Sequence, residues 1–201
     1  KFNMSTCNPS SIPADPGVLL KRNPSEGGTD APYRQAIGSL MYLAVATRPD
    51  LAFSVSQLSQ HLEHPSEVHW QAVKRVFRYL RGSMDTGITF SDQRGSVNQL
   101  VAYSDADYAS DEDRKSISGV VVILNGGPVS WMSRKQTIVA DSTTYAEYVA
   151  AYMATKEIIW IRGLLADLGA VQRQPTIVHM DNAAAEHLVR NPVHHRRTKH
   201  I

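Results

Sequence analysis

A change of hydrophobic rhythm near residue 97 divides this chain into a stretch that can pack only as helix on helix and one that demands a sheet. Before it, Ile37, Leu40, Met41 and Ala44 recur at helical steps of three and four and stop at Arg48-Pro49. Pro49 suits a first helical turn, and Leu51, Val55, Leu58 and Leu62 continue the spacing as a second helix. After Pro65, Ser66 is placed to cap a third helix whose stripe is Trp70, Val73, Phe77 and Leu80 and which Gly82 ends. Residues 1–30, with Pro9, Pro13, Pro16 and Pro24 and no apolar period, read as an extended arm, leaving 31–96 as a small helical region.

From residue 97 the alternation is that of strands. Residues 99–108 place Val101 and Tyr103 ahead of an acidic tip, and residues 118–124 form a second β-favouring run. Asn125-Gly126-Gly127-Pro128 is turn chemistry, which returns residues 129–133 as a third, antiparallel strand. Residues 142–168 then read as one long helix, capped by Asp141 or Ser142, closed at Gly169, with Val149, Met153, Ile158, Ile161 and Leu165 along its apolar side. Residues 175–180 look like a buried strand and 182–189 like a helix. A strand reached through a crossover helix joins its sheet in parallel. The predicted fold is α/β, three antiparallel strands plus one parallel strand with flanking helices. The tryptophans Trp70, Trp131 and Trp160 fall in apolar patterns and are expected in the core.

Composition adds boundaries. At 201 residues, 42% hydrophobic and 20% charged, the chain is an ordinary globular one with enough length for one large domain or two small ones. No apolar run approaches the roughly 20 residues that span a bilayer, so no membrane segment is expected. The single Cys7 has no partner within the chain, and the first residues show no apolar signal stretch, which reads as an intracellular fragment or cleaved product. The net charge of +2 is too mild to advertise a polyanion partner by itself, so local clusters must carry any such reading.

Three acids stand where acids are costly unless used: Asp105 at the end of the first strand, Glu147 within the long helix, and Asp181 where the later strand ends. Around Glu147, Thr143, Ala150, Ala151 and Ala154 make a small-residue surface that lets a helix lie close to a sheet. If the two strands are neighbours, the three carboxylates meet, and their repulsion calls for a cation. Oxygen ligands without a Cys or His ladder favour Mg²⁺ or Mn²⁺ over zinc. On pattern alone a second account stands equally well: Asp105 and Asp107 as turn residues, Glu147 solvated, and Asp181 capping the helix after it.

The stretches Tyr103-Ser104-Asp105-Ala106-Asp107-Tyr108-Ala109, Asp113-Arg114-Lys115-Ser116-Ile117-Ser118-Gly119, Ser130-Trp131-Met132-Ser133-Arg134-Lys135-Gln136, Ser142-Thr143-Thr144-Tyr145-Ala146-Glu147-Tyr148 and Asp181-Asn182 follow one another in a characteristic order. Together with residues 191–201 they closely resemble the ribonuclease H region of copia-type retrotransposon Pol polyproteins. Upstream, Tyr33-Arg34, Arg48-Pro49-Asp50-Leu51 and Arg75-Val76-Phe77-Arg78-Tyr79-Leu80-Arg81-Gly82 resemble the tail of the preceding reverse transcriptase, its thumb or connection region.

The resemblance implies a ribonuclease H-like domain over residues 97–201 and a mixed sheet within it. It implies Mg²⁺-dependent endonucleolytic hydrolysis of the RNA strand of RNA:DNA hybrids during reverse transcription. Its metal-binding carboxylates fall on Asp105, Glu147 and Asp181, an order that separates this branch from the integrases. The family usually has Ser, Glu and Thr where this chain has Asp141, Tyr145 and Ile117, none assigned to metal. Relatives continue past residue 201 with a further helix, a last strand and a final helix bearing a fourth metal-binding Asp. The intact site is expected to hold two ions, and this shorter chain is expected to leave an unpaired strand edge and to act weakly.

The implied partners are the hybrid and the rest of the polyprotein, and the implied location is a cytoplasmic retroelement particle or the nucleus. Lys74, Arg78 and Arg81 on the third helix, and Arg196, Arg197 and Lys199 near the end, are candidate phosphate contacts. A solvated helix face explains the first group equally well. Ser104, Thr143 and Asn182 flank the carboxylates and are candidates to meet phosphate or the 2′-hydroxyl, or else serve as caps and turns. The rival from another class is an inactive remnant that binds nucleic acid or a protein partner.

Overall fold

Leu40, Leu51, Val55, Leu58, Val73 and Val76, nearly sealed from solvent, are the residues around which three short helices close. The computed structural model describes residues 2–18, 20–21, 28–91 and 98–190, and the chain divides into two compact units, Lys1–Ile88 and Thr89–Ile201. The first contains α1 (Tyr33–Ala46), a 3-10 turn at Pro49–Leu51, α2 (Ala52–Ser59) and α3 (Glu67–Gly82). Ser66 caps α3 as predicted, in a reciprocal pair with His69, whose Nδ1 lies 2.9 Å from the Ser66 nitrogen and hydroxyl. The second helix is shorter than its apolar period. It ends at Ser59, His61 turns inward to stack on His69, and Leu62 reaches the core from the turn beyond.

The described part of residues 1–30 forms no helix and runs along α3. Ser10 N–H donates to the Arg78 carbonyl at 3.1 Å, and Arg78 Nε donates to the Asn8 carbonyl at 2.8 Å. Gly82 has no side chain because Pro9 occupies that space; a Cβ there would sit 3.1 Å from the proline ring.

Arg48, 7% exposed, closes this unit. It donates to Asp50 at 2.7 and 3.0 Å and to the Ser83 carbonyl and hydroxyl at 3.1 and 2.6 Å, while Tyr79 donates to Asp50 at 2.8 Å. Burial alone would raise the Asp50 pKa, but the bonds from Arg48 and Tyr79 outweigh it and hold it below the usual value.

The second unit carries β1 (Leu100–Asp107), β2 (Ile117–Leu124), β3 (Gly127–Lys135), α4 (Thr143–Asp167), β4 (Ile177–His179) and α5 (Ala183–Arg190). The sheet order is β3-β2-β1-β4, antiparallel except for the parallel β1–β4 pair, so the fold is the predicted ribonuclease H-like α/β arrangement. The hairpin turn is tighter than the four-residue reading. Asn125 and Gly126, at φ 51° and 78°, are its two central residues, and Gly127 and Pro128 already belong to β3. Pro128 is tolerated because the ladder slips beside it, where Val122 pairs with Ser130 and Ile123 with Pro128.

The core of this unit joins Leu100 and Ala102 of β1, Val120 and Val122 of β2, and Ala154, Ile158 and Ile161 of α4. Ser142 caps α4 through its hydroxyl, and Gly169 closes it at φ 81°. Three expectations fail on burial, the first being Met41 of the α1 stripe, which is 44% exposed. Residues 175–180 are not a buried strand, because β4 is the outer strand among the described residues and leaves Ile177 53% exposed. Trp160 is not in the core; it is 62% exposed, on the α4 surface that the sheet does not cover. Among the described residues no helix is long and apolar enough to cross a membrane.

The Arg48 cluster yields a stability prediction. Because Asp50 titrates below its ordinary value when folded, its stabilisation is present above the unfolded carboxylate pKa and fades as pH falls. Arg48→Met should therefore lower unfolding free energy by about 2 kcal/mol at pH 7 and by less at pH 3. Urea melts followed by circular dichroism at the two pH values check this, and an equal loss at both would contradict it.

Candidate metal centre

Parallel pairing brings two acids to one end of the sheet. Tyr103 of β1 and His179 of β4 are register partners, with rings stacked at 4.8 Å, and two residues further along each chain stand Asp105 and Asp181. Glu147 reaches them from the second turn of α4. One oxygen from each of the three carboxylates lies within 4.8 Å of the others.

Their surroundings differ. Asp105 and Asp181 are exposed, whereas Glu147 is 5% exposed; the Ala106 N–H is shared between Asp105 Oδ1 at 2.9 Å and Glu147 Oε1 at 3.2 Å. Glu147 Oε2 is buried with no hydrogen-bond partner. Burial pushes the Glu147 pKa up to about 7; the Ala106 bond opposes this, and the charges of Asp105 and Asp181 add to it. Among the described residues no ion pair compensates any of the three. An all-oxygen donor set, one partnerless buried oxygen and two solvent-facing carboxylates suit a hard divalent cation that keeps part of its water shell.

The capping account of Asp181 does not describe this structure. It is Asn182 whose Oδ1 accepts from Ala185 N–H at 3.0 Å, which leaves the Asp181 carboxylate to the cluster. Of the other flanking candidates, Ser104 is 5% exposed with its hydroxyl inside the unit, while Thr143 is exposed at the start of α4. Lys74, Arg78 and Arg81 lie on α3 in the other unit. There Lys74 faces Glu67 at 3.6 Å, Arg78 holds the arm, and Arg81 contacts Met84 sulfur at 3.8 Å. Arg196, Arg197 and Lys199 lie outside the described residues.

Two contributors carry no sequence signal of their own. The Ala106 backbone acts through a group every residue has. Gln136, buried just after β3, donates to Ser118 Oγ and to the Ala146 carbonyl, partners 18 and 10 residues away.

Fold and site together define a ribonuclease H-like α/β domain with a three-carboxylate candidate metal centre. Over its whole length the chain is 43% identical to a retrovirus-related Pol polyprotein from transposon TNT 1-94 of Nicotiana tabacum, covering 15% of that protein. It is 43% identical to one from transposon RE2 of Arabidopsis thaliana, covering 14%. Over 66% of the chain it is 50% identical to secreted RxLR effector protein 161 of Plasmopara viticola, covering 92% of that protein. No protein-family model and no solved structure matches the chain. Over its whole length the chain is thus similar to one region of retrovirus-related Pol polyproteins from plant transposons. It spans about one-seventh of the polyproteins it matches.

The carboxylates predict an inverted pH response. A folded-state pKa of about 7 against an ordinary 4.5 means the folded chain holds an extra proton between those values, so metal-free stability falls as pH rises to 7. Glu147→Gln should be more stable than the parent at pH 8 without added cation, by about 2 kcal/mol, and should lose the stabilisation that Mn²⁺ gives the parent. Thermal melts from pH 5 to 8, with and without Mn²⁺, measure both. A destabilised, cation-responsive Glu147→Gln would refute the assignment.

Proposed function

We propose that this region hydrolyses the RNA strand of RNA:DNA hybrids endonucleolytically, as the ribonuclease H part of a retrotransposon Pol polyprotein. The observation that carries the proposal is the meeting of Asp105, Glu147 and Asp181 at one end of the sheet, with a buried Glu147 oxygen lacking a partner. These three side chains would hold Mg²⁺ or Mn²⁺. A bound divalent ion at such a site supplies an activated water and Lewis-acid stabilisation of the phosphoryl oxygens.

The remaining work belongs to the chain. Ala106 N–H keeps Glu147 aimed at the two strand-end carboxylates, and its elevated pKa makes proton release part of loading the site. Asp105 and Asp181 are both exposed, so a phosphodiester could reach them from solvent. Thr143 is the flanking hydroxyl best placed to meet phosphate or a 2′-hydroxyl, since Ser104 is buried and Asn182 is engaged as a cap. Lys74, Arg78 and Arg81 in one unit, and Arg196, Arg197 and Lys199 in the sequence of the other, would each add positive charge that favours phosphates without reading sequence. The polyprotein context supplies the substrate, because hybrids arise during reverse transcription.

A strand-labelled hybrid tests the reading. Cleavage of the RNA strand should require Mg²⁺ or Mn²⁺, and Asp105→Asn or Asp181→Asn should reduce it by about a hundredfold or more, the loss expected when several kcal/mol of metal stabilisation are withdrawn. Hybrid retained on a gel but uncut at every cation concentration would replace the enzyme by a nucleic-acid-binding remnant.

A further inference from the structure

Gln136 is 3% exposed, and the nitrogen of its carboxamide is fully committed. Nε2 donates to Ser118 Oγ at 2.9 Å and to the Ala146 carbonyl at 2.9 Å, which uses both amide hydrogens. Its backbone N–H donates to the Ser116 carbonyl at 2.8 Å, so the residue is anchored to the start of β2 before its side chain begins.

The two acceptors are not arbitrary positions. Ser118 lies opposite Ala106 in the β1–β2 register, and the Ala106 N–H is shared by Asp105 Oδ1 at 2.9 Å and Glu147 Oε1 at 3.2 Å, so it ties the two carboxylates together. Ala146 is the residue immediately before Glu147. The contacts form a closed circuit: Glu147 to Ala106, across the ladder to Ser118, through the Gln136 amide to Ala146, and back along the helix to Glu147. We infer that Gln136 is a positioning residue that fixes the gap between β2 and the first turns of α4, and through it the place of the Glu147 carboxylate relative to Asp105. This rests on the reading of the three carboxylates as a metal centre.

Physical chemistry separates this role from simple stabilisation. Ala146 and Ala150 offer the sheet no side chain that could lock the helix along its axis, so the start of α4 needs a directional contact. The buried Gln136 Oε1 has no partner, which itself opposes folding. Replacing the amide by an apolar chain of similar length removes two hydrogen bonds and that orphaned oxygen, but it leaves buried Ser118 Oγ and the Ala146 carbonyl without this donor, so some stability is lost with the strut. Gln136→Met therefore removes the strut, and referring exchange to the second half of α4 separates that local effect from a general loss of stability. Glu at 136 keeps the length but not the donors, and Asn keeps the donors but not the reach.

The full chain tests this by amide hydrogen exchange and by calorimetric titration with Mn²⁺. In Gln136→Met, exchange at Ala106 should accelerate about tenfold relative to amides in the second half of α4, and Mn²⁺ binding should weaken about tenfold, as loss of one well-placed hydrogen bond predicts. Ile161→Val, which trims the α4 core far from the circuit, should move neither the relative exchange nor the affinity. Unchanged Ala106 exchange in Gln136→Met overturns the inference, as does an equal response from Ile161→Val. An Asp105→Asn chain that binds Mn²⁺ like the parent overturns the metal centre itself, and the exchange rates tell that failure from the strut's.

Discussion

The separation between α4 and the sheet governs what the acidic end of this domain can do. Ala146, Ala150 and Ala154 have no accessible surface, and the helix packs on Leu100, Ala102, Val120 and Val122 through Ala154, Ile158 and Ile161. Interiors are packed as densely as organic crystals, so one larger residue in that alanine stripe would lift the helix. Lifting it would carry Glu147 away from the Ala106 N–H, a contact that already stands at 3.2 Å. Small residues thus set how near the helix comes, while Ser142, Gln136 and Ala106 set where along its axis it stops.

The features legible in the sequence were those that depend on local repetition. The switch from helical to strand spacing, the Ser66 and Ser142 caps, the Gly169 stop and the parallel return after a crossover helix all follow from neighbouring residues and chain handedness. Asp105, Glu147 and Asp181 stood out because acids at strand ends and on an alanine-rich face need a reason. What escaped depends on distant partners or on position within the sheet. An apolar run such as Ile177-Val178 reads as buried whether it has one neighbour or two, and only the sheet order shows it at an edge. Pro128 reads as part of a turn until the slipped register beside it is known. Trp160 lies among apolar neighbours by sequence, but it sits off the face of α4 that Ile158, Ile161 and Leu165 turn to the sheet.

Likeness to other proteins narrows the context without choosing the chemistry. The chain matches a short stretch of two plant transposon polyproteins at 43% identity, and it matches nearly the whole of a protein named as a secreted effector at 50%. Names of such different kinds on similar sequences place the weight on the site. An α/β sheet of this order serves many roles, so the choice between cutting and merely binding a hybrid turns on three side chains and their charge.

Two carboxylate clusters in the same chain show what is unusual about those three. Asp50 is met by Arg48 and Tyr79, its charge is answered within the protein, and its pKa is drawn down. Glu147 shares one backbone N–H with Asp105 and has two further acids for company, and burial drives its pKa up to about 7. A cluster serving stability alone would resemble the first, since an unanswered buried charge opposes folding. The second arrangement can be relieved by protonation of Glu147 or by a positive charge that enters from outside the chain. Folding prepares the repulsion, through packing of α4 and parallel pairing of β1 with β4, and a proton or a cation can relieve it. Because burial and mutual repulsion both weaken on separation, the strength of that demand is set by the same few tenths of an ångström that the alanine stripe and the Gln136 bonds control.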